Sequence, residues 1–381
     1  PWRHYTMSTC HLFLFIDALG HAVVRDQPVI SDLGTCRALR SVFGYSSACV
    51  PSILTGRLPQ DHGHWSFFTH QGPRSGLRVP WWLHLLPSGL RDRGRVRSRL
   101  SPAVARANGL RGYFQLYQMP LDVLPHYGWC EPKNIFKPDG FNRGRGIFDV
   151  LAERRTRAWV SDWHVSEAAN WDGAKAAAGD RDISFVFLYA ASMDAWLHDH
   201  TRQHADLPQQ LHALRRRIDA VLRAARAQHD QVRFHIFSDH GMCTVRRHLD
   251  VFPLLAASGL TMHRDYFAVI DSTMVRLWHG DEATRTRLRA CLDGVVGLTR
   301  QTPEQLAAVG CAFPDRRFGD DIYLAEPGLL LHPSHLGSTP LKAMHGYSLD
   351  HEDSDAVHIS NDPAAAPTCI TDIYGLMEAS A

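Results

Sequence analysis

The sequence predicts an α/β fold whose core is a doubly wound, mostly parallel sheet. Runs of strand length that are wholly or mainly apolar recur along the chain, and each leads into an acidic residue. The three clearest runs are residues 12–16, 183–189 and 232–237. A shorter run at 158–160 has the same character. Strands that alternate with helices in this way are typical of parallel sheets with helices on both faces.

The helix that separates the last two long runs is clearly amphipathic. Its apolar residues recur at helical spacing, with arginines on the opposite face. They are Leu211, Leu214, Ile218, Val221, Leu222 and Ala225. Ligands of such sheets bind outside the carboxyl ends of the strands. We therefore expect the residues that follow the runs, Asp17, Asp194, Asp239 and His240, to lie together at that edge.

The rhythm of strands and helices divides the chain into five segments. Residues 7–69 and 146–250 form two parts of the core, and residues 331–381 its C-terminal part. Residues 70–145 interrupt the rhythm and predict an inserted lid, and residues 251–330 predict a small α/β subdomain. The lid is rich in aromatic residues: Trp81, Trp82, Tyr113, Tyr117, Tyr127 and Trp129.

Composition restricts the partners and the compartment. The formal net charge is +2 and 21% of the residues are charged, which predicts neither a nucleic-acid polymer nor a membrane as partner. Eight cysteines show no Cys-x-x-Cys pair and no disulfide-framework spacing, so we expect reduced thiols and a cytoplasmic protein. The 24 histidines are many, and imidazole is a common ligand of transition metals. The oligomeric state is left open.

One segment carries the strongest chemical indication. Residues 44–67 read GYSSACVPSILTGRLPQDHGHWSF, with Ser46 ten residues before Gly56 and a His-Gly pair at 62–63. The segment resembles the nucleophile region of the alkaline phosphatase superfamily, in its type I phosphodiesterase/nucleotide pyrophosphatase-like branch. The resemblance implies that Ser46 is the nucleophile at the start of a helix, where free amides and the helix dipole stabilise an anion. Ser47 is the local rival.

The other motifs of that family occur in the same order along this chain. They are the strand-end Asp17, the pair Asp194 and His198, the sequence Asp239-His240-Gly241, and His345 in His-Gly-Tyr. The resemblance implies that Asp17, Ser46, Asp239 and His240 hold one metal ion. It implies that Asp194, His198 and His345 hold a second one.

The chemistry of the set agrees with that implication. Three histidines and three aspartates are a nitrogen and oxygen ligand set that suits Zn²⁺, with Mn²⁺ or Fe as alternatives. Two divalent ions about 4 Å apart stabilise both the attacking and the leaving oxygen of a displacement. We therefore expect a two-metal hydrolase of a small-molecule phosphoester that forms a phosphoserine intermediate. A phosphodiester or nucleotide-type pyrophosphate is the first choice of substrate.

Alternatives remain for the substrate. A phosphomonoesterase of the same superfamily is the second choice, followed by a phosphoryl-group transferase and a non-catalytic ligand-binding relative. A sulfatase is disfavoured because Ala18, Ala48 and Val50 replace residues of the sulfatase motifs.

One position departs from the nucleotide pyrophosphatases themselves. Their phosphate-holding asparagine is Phe67 here, and the candidates for its replacement are His64, Ser66 or a group from the lid. The arginine-rich residues 91–99 of the lid are either a solvated surface or a contact for further phosphates.

Overall fold

The computed structural model describes residues 7–70, 72, 76–87 and 93–381. Its strands are β1 (Thr9–Ile16), β2 (Thr35–Leu39), β3 (Phe68–Thr69), β4 (Gly128–Trp129), β5 (Ala158–Val160), β6 (Phe185–Ala190), β7 (Gln231–Phe237), β8 (Cys243–Thr244), β9 (Arg247–Leu249), β10 (Tyr266–Ile270), β11 (Met274–His279), β12 (Leu298–Gln301), β13 (Asp321–Ala325), β14 (Leu329–Leu331), β15 (Ala343–Met344) and β16 (Ala356–Ser360).

The helices of the same residues are α1 (His21–Val24), α2 (Pro28–Ser31), α3 (Ser46–Thr55), α4 (Pro59–His62), α5 (Gly94–Ala107), α6 (Ile147–Arg154), α7 (Glu167–Ala178), α8 (Ser192–His200), α9 (Leu207–Gln228), α10 (Phe252–Ala256), α11 (Glu282–Leu292), α12 (Pro303–Ala308) and α13 (Ile373–Ser380). No helix among the described residues has the length and apolar character needed to cross a membrane.

A six-stranded sheet in the order β2-β16-β7-β1-β6-β5 forms the centre of the molecule. β1 pairs in parallel with both β6 and β7, and β5 pairs in parallel with β6. β16 runs antiparallel between β2 and β7. The predicted mostly parallel sheet is thereby confirmed, with one reversed strand in its interior.

Both faces of β1 are buried, which explains its uninterrupted apolar sequence. Leu12 and Leu14 pack on one face in a cluster that includes the apolar side of α9. Phe13 and Phe15 pack on the other face in a cluster with residues of α3, α6 and α13. The six apolar residues predicted for one face of α9 are all buried. Helices therefore cover the sheet on both faces, as expected.

A second, antiparallel sheet in the order β10-β11-β13-β12 lies within residues 251–330. Helix α11 begins at the N-cap Asp281, whose carboxylate accepts a hydrogen bond from the amide of Thr284 at 2.7 Å. Asp271 follows β10 and forms a fully buried ion pair with Arg276 of β11, with 2.7 Å between Oδ2 and Nε. Arg276 also donates to the carbonyl oxygen of Phe68 at 2.8 Å, which ties this sheet to β3.

The described part of residues 70–145 packs against that second sheet. Helix α5 and the short antiparallel pair of β3 and β4 share a hydrophobic cluster with Val269 and Trp278. Arg97 of α5 is buried, and its guanidinium donates to the carbonyl oxygens of Leu116, Tyr117 and Met119. This arginine of the 91–99 run therefore stabilises a loop. Residues 91 and 92 lie outside the described residues, and Arg93, Arg95 and Arg99 are exposed.

Candidate active site and metal centre

The predicted nucleophile, Ser46, is the first residue of α3. Gly44 precedes it with a positive φ of 136°, and a Cβ there would lie 2.8 Å from the Cβ of Ala48. This turn delivers Ser46 to the edge of the sheet, where its Oγ lies 3.1 Å from Nε2 of His240. The Oγ of Ser47 instead donates to the carbonyl oxygen of Trp65 at 2.9 Å. The geometry thus favours Ser46 over Ser47 as the reacting hydroxyl.

The first ligand cluster forms where the adjacent parallel strands β1 and β7 end. Asp17 follows β1, and Asp239 and His240 follow β7. Nε2 of His240 lies 3.5 Å from Oδ1 of Asp17 and 3.2 Å from Oδ2 of Asp239. Nδ1 of His240 lies 2.9 Å from the carbonyl oxygen of Gly241. A proton on Nδ1 would satisfy that carbonyl and leave the lone pair of Nε2 free for a metal.

The second cluster is assembled on α8 and β15. Asp194 and His198 are one turn apart on α8, with 3.3 Å between Oδ1 and Nε2. His345 follows β15, and its Nε2 lies 3.7 Å from the same carboxylate oxygen. Nδ1 of His198 lies 2.8 Å from the carbonyl oxygen of Ala343. A backbone carbonyl therefore orients the ring of His198, as the carbonyl of Gly241 orients that of His240.

The two clusters adjoin each other. The rings of His240 and His345 stack with 3.7 Å between centroids. Asp194, His198 and His345 place ligand atoms within 4.8 Å of one another, and so do Asp17, Asp194 and His240. All seven residues predicted from the sequence therefore meet at one edge of the sheet.

Three buried carboxylate oxygens in these clusters have no hydrogen-bond donor among the described residues: Oδ1 of Asp17, Oδ1 of Asp194 and Oδ2 of Asp239. Burial raises the pKa of Asp17, and burial raises the pKa of Asp239 to about 7. Burial lowers the pKa of His345 well below its usual range, which keeps the imidazole neutral. Unpartnered acidic oxygens beside a neutral imidazole are a donor set that fits divalent cations.

Tyr189 is a site residue that the sequence did not reveal. Its hydroxyl donates to Oδ2 of Asp17 at 2.6 Å, so it orients that carboxylate. Tyr189 is on β6 and lies opposite Phe15 of β1 in the sheet. Tyr189 can be identified as a site residue only from the register of these two strands. Patterns of residue type along the sequence do not give that register.

A cavity of about 520 Å³ opens at the clusters, and Ser46, Asp17, Asp194, His198 and His345 line it. Aromatic side chains form much of the remaining wall: Phe67, Tyr113, Tyr117, Phe136, Trp163 and Tyr189. One further carboxyl group, that of Glu131, also lines the cavity. No lysine or arginine is among the described residues that line it.

Neither proposed side-chain substitute for the phosphate-holding asparagine lines this cavity. Nε2 of His64 accepts a hydrogen bond from the amide of Asn142 at 3.0 Å, and both His64 and Ser66 are buried. Phe67 itself lines the cavity and stacks on Trp129 with 5.0 Å between centroids.

The aromatic residues expected in the lid fall into three groups. Tyr113 and Tyr117 line the cavity, and Tyr127 and Trp129 pack in the cluster beneath. Trp81 and Trp82 are 73% and 42% exposed and lie outside the lining. Of the six aromatic residues expected in the lid, only Tyr113 and Tyr117 therefore form part of the cavity wall.

The chain is similar to known proteins of one family. The family model described as type I phosphodiesterase / nucleotide pyrophosphatase matches residues 13–347. Human ectonucleotide pyrophosphatase/phosphodiesterase 5 is similar in structure, with a TM-score of 0.67 at 14% identity over 97% of this chain and 93% of that one. The murine protein gives a TM-score of 0.66 at 15% identity over 98% and 94% of the two chains.

A further murine structure is an inactive threonine-to-alanine variant in complex with AMP. It gives a TM-score of 0.66 at 14% identity over 99% of this chain and 95% of that one. Among curated protein sequences, none matches the chain significantly. At these identities the solved structures establish the fold, and the family model, which spans most of the chain, establishes the relationship. The chain belongs to the type I phosphodiesterase / nucleotide pyrophosphatase family.

Proposed function

We propose that the protein hydrolyses a small-molecule phosphodiester or nucleotide-type pyrophosphate, with Ser46 as nucleophile and two divalent metal ions, Zn²⁺ in first place. The observation that carries the proposal is the position of the Ser46 hydroxyl. It lies 3.1 Å from Nε2 of His240 and beside buried carboxylate oxygens that have no hydrogen-bond donor in the described part of the chain. Membership of the family supports a phosphodiester hydrolase. The AMP bound by a murine structural neighbour supports a nucleotide-type substrate.

Asp17, Asp239 and His240, with Ser46, would hold one ion, and Asp194, His198 and His345 the other. Bound divalent ions would supply the positive charge that lowers the pKa of the Ser46 hydroxyl and stabilises the leaving oxygen. Burial raises the pKa of Asp194, but the imidazole of His198, with Nε2 3.3 Å from Oδ1, outweighs it, so the pKa is lowered and this ligand is ionised.

The covalent step takes place at Ser46. Its Oγ attacks phosphorus, an Oγ–P bond forms, and the bond from phosphorus to the departing alcohol or phosphate breaks. Water then attacks the phosphoserine, which returns the Ser46 hydroxyl and releases the second product. The free amides of the first turn of α3 are suited to hold a non-bridging phosphoryl oxygen. This role is needed because Phe67 offers no hydrogen-bond donor.

A hydrolysis panel with defined metals tests the proposal. The substrates are p-nitrophenyl phosphate, bis-p-nitrophenyl phosphate, the p-nitrophenyl ester of thymidine 5′-monophosphate, and p-nitrophenyl sulfate. We expect the diesters to exceed the monoester in kcat/KM by at least about tenfold, and the sulfate to be inert. The described lining of the cavity contains no arginine, so the cavity favours a second organic group over a second phosphate charge.

Ser46→Ala and Ser47→Ala are the matched variants for this panel. A monoester preference would replace the proposal with the phosphatase alternative. Metal-loaded protein that hydrolyses none of the esters would support a non-catalytic relative. Transfer of the phosphoryl group to an added alcohol in preference to water would indicate a transferase.

A further inference from the structure

Two indole rings and a leucine side chain are exposed in one short segment of the chain. They belong to the 3₁₀ helix Trp81–Leu85. The exposed fractions are 73% for Trp81, 42% for Trp82 and 71% for Leu85. Six large apolar side chains are exposed among the described residues, and only these three are close together in the sequence. None of the three lines the cavity at Ser46. Exposed apolar groups that cluster in this way are typical of a surface that meets a partner.

The position of this 3₁₀ helix is fixed by the residues within and before it. Leu83 is fully buried and belongs to the same hydrophobic cluster as Val104 of α5. The amide of Arg78 donates to Oδ1 of Asn108, the C-cap residue of α5, at 2.7 Å, and its carbonyl oxygen accepts from Nδ2 at 2.9 Å. Trp81 follows Arg78 by three residues, so it lies within about 11 Å of it. The 3₁₀ helix therefore lies beside the C-terminal end of α5.

Helix α5 carries a row of arginines on its outer face. Arg95, Arg99 and Arg106 stand at helix positions i, i+4 and i+11, which fall within an arc of about 40°. The buried residues of the helix lie on the opposite side: Arg97, Ser101 and Val104. The three arginines of the row are exposed, and none forms an ion pair with a described residue. The helix contains no acidic residue, so this face is purely cationic.

Arginines alone would not identify a partner, because α9 also carries exposed ones. No large apolar side chain is exposed on α9, however, whereas beside α5 the two features coincide. Among the described residues, Asp122 is the acidic side chain that forms an ion pair with the 3₁₀ helix, with Oδ1 3.1 Å from Nδ1 of His84. One carboxylate that is already paired leaves the row of three arginines without compensation.

The combination of features decides between three kinds of partner. A second copy in a twofold contact would bring one arginine row against the other, and like charges repel. A nucleic acid would match the arginines and stack on the indoles, but it offers nothing to the exposed Leu85. An anionic lipid surface matches both features, because tryptophan and leucine enter the headgroup region while arginines meet acidic headgroups.

We infer that the surface formed by the 3₁₀ helix Trp81–Leu85 and the arginine row of α5 docks reversibly on an anionic lipid surface. The expectation that no membrane is a partner came from a formal net charge of only +2, which does not take account of where the charges lie. The inference is independent of the proposed hydrolysis, since none of these residues lines the cavity.

Flotation with vesicles tests the inference. The purified protein is mixed with vesicles of phosphatidylcholine alone, or of phosphatidylcholine with about 30% phosphatidylserine, at about 0.1 M salt. We expect the partition coefficient onto the anionic vesicles to be at least about 30-fold higher, because each arginine near such a surface contributes a factor of about five. Salt at about 0.5 M should remove most of this preference, since it screens the charges.

Charge variants locate the preference on α5. Arg95→Gln, Arg99→Gln and Arg106→Gln, combined in one protein, should lower the partition coefficient onto anionic vesicles by at least about 30-fold. The matched control makes the same change of charge at exposed residues of α9: Arg216→Gln, Arg223→Gln and Arg226→Gln. It should lower the coefficient by less than about threefold. Circular dichroism of both proteins checks that they are folded.

Apolar variants test the insertion of the 3₁₀ helix. Trp81→Ala combined with Leu85→Ala should lower the same partition coefficient by at least about tenfold, because less apolar area then enters the headgroup region. Val296→Ala is the control, since Val296 is 77% exposed and distant in the sequence, and it should leave the coefficient unchanged.

Four results would overturn the inference. They are equal binding to both kinds of vesicle, equal losses in the folded α5 and α9 variants, a dimer that dissociates in Trp81→Ala, and Trp81-dependent binding of oligouridylate without binding of vesicles. The last two would assign the surface to a second copy and to a nucleic acid. No measurement depends on catalysis, so failure of the hydrolysis panel would leave this inference standing and failure of vesicle binding would leave the proposed function standing.

Discussion

The hydroxyl of Tyr189 donates to Oδ2 of Asp17 at 2.6 Å, while Oδ1 of the same carboxylate has no donor among the described residues. Tyr189 thereby orients one oxygen and leaves the other available to the ion proposed for Asp17, Asp239 and His240. We expect Tyr189→Phe to weaken binding of that ion by about tenfold, as is usual when a group behind a ligand is removed. Competition with a chelator of known affinity measures it. Tyr374→Phe, far from the clusters in sequence, is the control, and equal affinities in both variants would contradict the role.

The neighbouring serines of α3 should respond differently to removal. Ser46→Ala should lower kcat by at least about 1,000-fold, because among the described residues only the Ser46 hydroxyl forms a hydrogen bond with Nε2 of His240. Ser47→Ala should keep substantial activity and lower the free energy of unfolding by about 1 kcal/mol, because the carbonyl oxygen of Trp65 loses its donor. Steady-state kinetics and urea unfolding measure the two effects. Loss of turnover in Ser47→Ala instead would shift the nucleophile by one residue.

Removal of one histidine of the second ligand cluster should remove one of the two proposed metal ions. We expect about two divalent ions per chain in the unaltered protein and about one in His198→Ala, since Asp17, Asp239 and His240 do not depend on His198. Elemental analysis after gel filtration provides the count. His200→Ala changes a histidine on the same helix that contacts Trp196, and it should retain both ions. A count that is the same in both variants would refute the assignment of His198 to the second ion.

Much of this site could be predicted before the structure, because two simple rules apply to it. Buried parallel strands are continuously apolar, and their carboxyl ends share one edge of the sheet, so Asp17, Asp239 and His240 were expected to meet. Helix α9 was predicted by its apolar face, since that face alone packs on the sheet.

Other features depend on pairings between distant residues, for which local patterns carry no information. The contact of Tyr189 with Asp17 requires the register of β1 and β6, and the position of β16 requires its pairing with β2 more than 300 residues earlier. The exposure of Trp81 and the lining position of Tyr113 could not be distinguished by sequence, because both residues lie in a segment without regular periodicity.

The ion pair of Asp271 and Arg276 should be important for stability. Both side chains are fully buried, so Asp271→Asn would leave the Arg276 charge without compensation. We expect the free energy of unfolding to fall by about 3–5 kcal/mol. Glu282→Gln removes an exposed ion pair with Arg285 and should cost no more than about 0.5 kcal/mol. Urea unfolding of the metal-free proteins compares them, and equal small losses would contradict the claim.

Glu131 should make stability depend on pH. Its folded pKa of about 8 exceeds the ordinary value of 4.5, so the folded state binds the proton more tightly and stability is lost as pH rises from about 5 to 8. The nearby Tyr113, Tyr117 and Cys130 also have raised pKa values and stay neutral in this range.

The difference between the unaltered protein and Glu131→Gln isolates this contribution. Relative to the variant, the unaltered protein should lose up to about 1.4 kcal/mol of unfolding free energy per pH unit between pH 5 and 8. Denaturant unfolding at several pH values, with metal removed from both proteins, provides the curve. Parallel curves for the two proteins would show that the Glu131 carboxyl does not change protonation in this range.

The place of β16 in the central sheet bears on the order in which the molecule folds. This strand lies between β2 and β7, although more than 300 residues of chain separate it from β2. His345 is likewise more than 300 residues from Asp17. Contacts between such distant segments are slow to form, so the sheet and the second ligand cluster should be completed late in folding. A partly folded chain would therefore offer the first cluster without the second, and an ion of the second site would bind only after β16 has paired.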